Sequence, residues 1–266
     1  MRILLYSDYP ALFEALQEES KHYSGLEVIQ SHPATELLTL PDFKFMLLAP
    51  LAASAEVGAS PCSVSQLDVW HEKIEALTEL CSLRQTQLIL LSSDLVFSAD
   101  QQIVNELDAP TNTSALAKSL LKLEKKVAEL PHSIILRTPP SLSAAPNSGL
   151  ATLLNHCKQN QPAESINYRG LQPLDDLARV LLGIILQIDA GAQAWGLYHY
   201  AGSEAISQQG LLDVLAAYLD ASDTQQELKK PLLNQLSLPS QQLLENFGIH
   251  PRAWRKKLPE LLEQLK

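Results

Sequence analysis

The chain has 266 residues, 46% of them hydrophobic and 19% charged, with a formal net charge of −10, which is the balance of a globular protein with a core of its own. The acidic balance excludes a general nucleic-acid binder. Three scattered cysteines, Cys62, Cys81 and Cys157, exclude a disulfide framework and point to a reducing, cytoplasmic setting.

The N-terminal run Met1–Pro10 is too short in apolar residues for an export signal. Short apolar runs predict buried strands at Arg2–Tyr6, Leu26–Gln30, Phe43–Ala49, Gln87–Leu91 and Ser133–Leu136. Helical spacing lies between them at Ala11–His22, Ser65–Leu83 and Thr113–Leu130. This alternation predicts an α/β fold: a Rossmann-like doubly wound parallel sheet over residues 1–145. The link from Gln30 to Phe43 is short for a crossover helix, so the sheet is expected to be abbreviated. A Pro/Ser/Ala loop at Pro139–Gly149 leads into a smaller, mostly helical C-terminal lobe over residues 146–266. Predicted there are helix Leu150–Lys158, strand Ser165–Arg169, helix Leu174–Ile188, strand Trp195–Tyr200 and helices Ser207–Leu219, Thr224–Leu236, Ser240–Phe247 and Pro251–Leu265. Helix 174–188 and strand 195–200 are expected to return to the core. Leu177–Ile188 is too short to span a membrane and contains Arg179.

Ten glycines beside sixteen prolines is the compositional anomaly, because average usage of roughly 7% would give nearly twice as many glycines. None precedes Gly25, so strand one is not followed by a glycine-rich loop of the kind that cradles phosphates. His156 and Cys157 are adjacent on a helix and point apart, with no further ligand at metal spacing, so no metal site is expected. Asp175 and Asp176 stand where carboxylates cap a helix. His199 is read as a core-edge residue. The run Arg252, Arg255, Lys256 and Lys257 around Trp254 is either an anion contact or a packing element.

Several segments, in order, resemble the dTDP-4-dehydrorhamnose reductases of the extended short-chain dehydrogenase/reductase superfamily. They are Leu88–Phe97 (LILLSSDLVF), Ser133–Thr138 (SIILRT), Gln172–Leu181 (QPLDDLARVL), Gly196–Ser207 (GLYHYAGSEAIS) and Phe247–Leu258 (FGIHPRAWRKKL). The resemblance implies a Gly-x-x-Gly-x-x-Gly turn for the dinucleotide, and here those positions hold Ser7, Pro10 and Phe13. It also implies a Tyr-x-x-x-Lys pair that delivers the proton accompanying hydride transfer. Aligned on Glu124, those positions hold Leu116 and Leu120, and no tyrosine occurs between Tyr23 and Tyr168. Ser93 retains the Ser/Thr position that meets the substrate carbonyl in the family. The family's substrate loop after Arg137 and Thr138 becomes Pro139-Pro140-Ser141-Leu142-Ser143.

The resemblance therefore implies the fold without its reaction, and no cofactor is expected, NAD(P) included. A degenerate member of this kind would act by binding a protein partner, as the regulatory subunit of methionine adenosyltransferase, similar to the same reductases, does. A homodimer through helix 113–130 is a further expectation, since Leu116, Leu120, Leu123 and Val127 form an apolar stripe that meets either the core or a partner. Two alternatives stand beside it. One is a nucleotide or sugar-nucleotide sensor with an inter-lobe pocket, with Ser93, Arg137, Arg252 and Arg255 as candidate ligand contacts. The other is an active NAD(P)H-dependent reductase with a non-standard site.

Overall fold

The computed structural model describes residues 1–51, 56–59, 63–145, 147–159, 161–220 and 236–265. The predicted helix Thr224–Leu236 lies, but for Leu236, outside the described residues, and so does Cys62.

Six strands form one parallel sheet: β1 (Arg2–Tyr6), β2 (Glu27–Ser31), β3 (Phe45–Leu48), β4 (Gln87–Ser93), β5 (Ser133–Thr138) and β9 (Gly196–His199), in the order β2-β1-β3-β4-β5-β9. Ile3 pairs with Val28 on one side and Phe45 on the other, so β1 is central and the chain reverses direction across the sheet beside it. The connection from β2 to β3 holds only a single 3-10 turn, Leu37–Thr39, which produces the abbreviated sheet. β9 comes from the C-terminal half of the chain and extends the sheet beyond β5.

Side-chain alternation along the strands separates two cores. Ile3 and Leu5 face one layer, where α1 (Pro10–Ser20) packs on α5 (Leu174–Asp189). Leu4 and Tyr6 face the other, where α2 (Val64–Arg84) packs on α3 (Ala115–Ala128). Both faces are covered by helices, which is why these strands read as nearly continuous apolar runs. The apolar stripe of α3 is spent inside this chain: Leu120, Leu123 and Val127 are buried against the sheet, and the exposed side of the helix carries Lys118, Lys122 and Lys125.

A third core lies in the C-terminal half, between α4 (Gly149–Lys158), α6 (Gln208–Asp220) and α8 (Leu258–Gln264), with Trp254 fully buried at its centre. Two short ladders tie it together: β6 (Ser141–Leu142) on β8 (Gln172–Pro173), and β7 (Asn167–Tyr168) on β10 (Ile206–Ser207). The strand expected over Ser165–Arg169 is thus reduced to two residues. The helix expected over Pro251–Leu265 is also corrected. The chain stays extended through Pro251, makes one 3-10 turn at Trp254–Lys256, and begins α8 with Pro259 in its first turn. Pro259 is tolerated there because its missing N–H needs no partner in the first turn. Before it, α7 (Gln241–Phe247) ends on Gly248 at φ +64°, a left-handed cap that suits glycine.

Candidate functional site

The carboxyl ends of β1, β2 and β3 open onto a cleft of about 1000 Å³. In open α/β sheets this is where ligands bind, next to the strand at which the winding direction reverses. Asp8, Tyr9, Pro10, Ala11 and Glu14 line it from the start of α1; His32, Pro33 and Ala34 follow β2; Pro50 and Leu51 follow β3. Trp70 and Lys73 of α2 and residues 147–149 at the start of α4 complete its walls.

Helix α1 enters this cleft without the means of a phosphate loop. Pro10 occupies its first turn and has no N–H, Tyr9 stands at the N-cap with no capping side chain, and Ser7 Oγ accepts from the Tyr9 N–H at 3.2 Å. Phe13 is half-buried against the core formed with α5 and does not line the cleft. Of the three residues at the glycine positions, only Pro10 borders the open space.

Tyr9 divides the crevice. Its ring is 6% exposed, and it lines both the open cleft and a cavity of only about 10 Å³ that continues over β3, β4 and β5. That cavity is bounded by Leu51, Leu91, Ser92, Thr138 and Leu174. The Tyr9 hydroxyl donates to Glu56, whose other oxygen accepts from the Gly149 N–H at 3.0 Å. Burial, followed by the Glu56 carboxylate, pushes the Tyr9 phenol well above its ordinary range. Glu56 is itself buried, so one carboxylate joins the segment after β3 to both α1 and α4. Nothing in the sequence around Glu56 signalled this role, because its partners are 47 and 93 residues away.

Beyond Tyr9, the region at the end of β4 is a closed polar cluster. Arg137 is 4% exposed and grips Glu124 of α3 with both ends of its guanidinium, at 2.9 and 2.6 Å. Ser92 Oγ adds a third hydrogen bond to Glu124 at 2.6 Å. The Arg137 and Arg169 guanidiniums lie over the Phe97 ring at 5.2 and 5.8 Å, and His199 meets its edge. Arg169 donates to the Gln102 and Ser98 carbonyls and faces Asp94. Burial pushes the Asp94 carboxyl up to about 6, against the pull of Arg169. Burial, then Arg137, drives the His199 imidazole down to about 3.

The structure does not gather the candidate ligand contacts into one site. Ser93 is buried and spends its hydroxyl capping the turn after β4, accepting from the Leu95 N–H at 3.2 Å. Arg137 pairs with Glu124 through Nε and one terminal nitrogen, its other terminal nitrogen is buried without a partner, and it borders neither of the two larger clefts. Arg255 stacks on Trp254 at 4.6 Å and pairs with Glu204. Arg252 is exposed and lines a second cleft of about 540 Å³, where Arg179 and Asp176 pair at 2.8 Å and Lys257 holds Asp175 at 2.9 Å. Asp175 also accepts from the Asp176 N–H at 2.8 Å, so it serves the helix start as expected. Leu120 is 1% exposed within the core and Leu116 is half-buried against it, so neither position presents a polar group. Among the described residues there is no group of His, Cys, Asp and Glu that could hold a metal, and no helix long and apolar enough to cross a membrane.

Comparison with known proteins agrees with this architecture. The family profile described as the RmlD substrate binding domain matches residues 52–266. A dTDP-4-dehydrorhamnose reductase from Clostridium acetobutylicum superposes with a TM-score of 0.75 at 20% identity, over 100% of this chain and 99% of that one. The same enzyme from Bacillus anthracis, in complex with NADP, gives 0.71 at 15%, over 99% and 98%. A UDP-N-acetylglucosamine 4-epimerase from Bacillus cereus gives 0.74 at 13%, over 100% and 99%. No curated protein matches the sequence significantly. The sheet, the order of its connections and the match over residues 52–266 together establish that the chain belongs to the RmlD substrate binding domain family, on the fold of the extended short-chain dehydrogenase/reductases.

Proposed function

We propose that this protein keeps the reductase fold as a binding module and does not transfer hydride, serving in the cytoplasm as a regulatory or scaffold partner of another protein. One observation carries the reading. The positions of the family's proton-donating pair hold Leu116 and Leu120, and Leu120 packs inside the core with nothing to donate. A general acid must reach the reacting atom with a proton to give, and no leucine can. Capture of the tagged full-length chain under several mild conditions is expected to recover one protein in near-stoichiometric amount, and the pair should re-form from purified components. Recovery of the chain alone under every condition would count against the partner role.

The open cleft favours a second reading, a small-molecule sensor. Its volume of about 1000 Å³ is at the upper end of what small-molecule sites occupy, and it lies at the fold's ligand-binding position. The C. acetobutylicum and B. anthracis neighbours are reductases of a nucleotide-linked sugar, which makes nucleotides and sugar nucleotides the first ligands to test.

A further inference from the structure

The basic run near the C-terminus, Arg252, Arg255, Lys256 and Lys257, divides in the folded chain into spent and unspent cations. Arg255 stacks on Trp254 and pairs with Glu204. Lys257 is held between Asp175 at 2.9 Å and Glu260 at 2.7 Å. Arg252 and Lys256 are both exposed, and the Lys256 side chain has no ion pair or hydrogen bond among the described residues. The backbone that carries Arg252 is fixed in place. Its carbonyl accepts from the Ser203 N–H at 3.1 Å, and Trp254, two residues on, is fully buried.

Arg252 and Lys256 both line the cleft of about 540 Å³, which shares no lining residue with the larger one. Asp176 lines it too, and its single charge is divided. One carboxylate oxygen accepts from the Tyr200 hydroxyl. The other accepts from Arg179 Nε at 2.8 Å, and Arg252 reaches that same oxygen only at 3.5 Å. One carboxylate therefore stands between two guanidiniums. Arg179 also lines the cleft, and its Nη2 is buried with no hydrogen-bond partner. A buried donor left unmet costs free energy, and an anion lodged beside it offsets part of that cost. Glu19, from the end of α1, lines the same cleft, accepts from the Tyr23 hydroxyl at 3.2 Å and holds no cation among the described residues. Four cations thus face three carboxylates here, in a chain whose net charge is −10.

We propose that this second cleft binds a phosphate group, with the Arg252 guanidinium and the Lys256 ammonium meeting its oxygens and Arg179 adding positive charge beside them. A guanidinium presents paired N–H donors that match two phosphate oxygens, and an ammonium adds a compact point charge. The volume is that of a small-molecule site, enough for a diphosphate or a phosphorylated metabolite. The site goes beyond the sensor reading, which concerns the larger cleft, and does not depend on it.

Inorganic pyrophosphate is the probe, added to the full chain in calorimetric titration and thermal shift against sodium chloride of equal ionic strength. At about 100-fold excess over its Kd it is expected to raise Tm by several degrees. The double variant Arg252→Gln, Lys256→Gln, altered only at exposed positions, should melt like the wild type without ligand and bind pyrophosphate at least about tenfold more weakly. Glu19→Gln removes the lining carboxylate that holds no cation and should bind it more tightly. Competition between ADP and pyrophosphate would support the proposal and identify the phosphate as that of a nucleotide. Pyrophosphate binding without such competition would support it and identify a free phosphate. No stabilisation of the wild type by pyrophosphate beyond the salt control would overturn the proposal. Undiminished binding by the double variant, or weaker binding by Glu19→Gln, would overturn it as well.

Discussion

Two buried groups at the closed end of the crevice make opposite demands on pH. Asp94 has its carboxyl raised to about 6 by burial, so the folded chain holds that proton more tightly than the unfolded one, where the ordinary value is 3.8. Its contribution is fully present below about pH 4 and is lost as pH rises through about 6. His199 has its imidazole lowered to about 3, so folding favours its neutral form; that contribution is present above about pH 6.5 and is lost on acidification. The Asp94→Asn variant should therefore gain stability relative to the wild type as pH rises from about 4 to 7, by up to about 3 kcal/mol. Urea unfolding at stepped pH measures this, and a difference that stays flat or runs the other way contradicts the placement of Asp94. Sequence alone read His199 as a core-edge residue and did not single out Asp94. His199 was legible as a framework residue, whereas the two guanidiniums over Phe97 come from β5 and from Arg169, 32 residues further along the chain.

The starts of the helices carry much of this architecture. α4 begins where its backbone touches the segment after β3: a Cβ on Gly149 would stand 1.8 Å from the Val57 carbonyl oxygen. Gly202 is under the same constraint, 1.8 Å from the Leu171 carbonyl. Glycine is required at these two positions because backbone meets backbone there, whereas the positions after β1 hold Ser7, Pro10 and Phe13. Gly149→Ala should cost about 1–3 kcal/mol, since the obstructing atom is main chain and cannot rotate away. Denaturant unfolding should show the loss, and an unchanged midpoint would refute the close approach. Strands and long helices were readable from periodicity because both sheet faces are covered. The short ladders β6–β8 and β7–β10 were not, since two-residue pairs are fixed by tertiary contact and have no pattern of their own. The C-terminal segment misled for a related reason. Its apolar spacing suits a helix, but Trp254 is drawn into the core and Arg255 onto its ring, which leaves only a 3-10 turn before Pro259.

Across the whole molecule, framework and site part company along the chain. The family match covers residues 52–266, and the first three strands, with the turn after β1, lie ahead of it. Ser7, Pro10 and Phe13 stand where the family resemblance implies glycines, and the sequence did not show what surrounds them. Tyr9 and Glu56, which divide the crevice, have significance only once β1 and β3 are side by side. We propose that this fold is kept without a redox cofactor, and NADPH binding tests that directly. Trp70 lines the cleft and overlaps NADPH spectrally as an energy donor. Titrating NADPH against the full chain, with excitation of tryptophan and detection of nicotinamide emission, should give no saturable signal up to millimolar ligand. A saturable rise with a micromolar Kd would contradict the account.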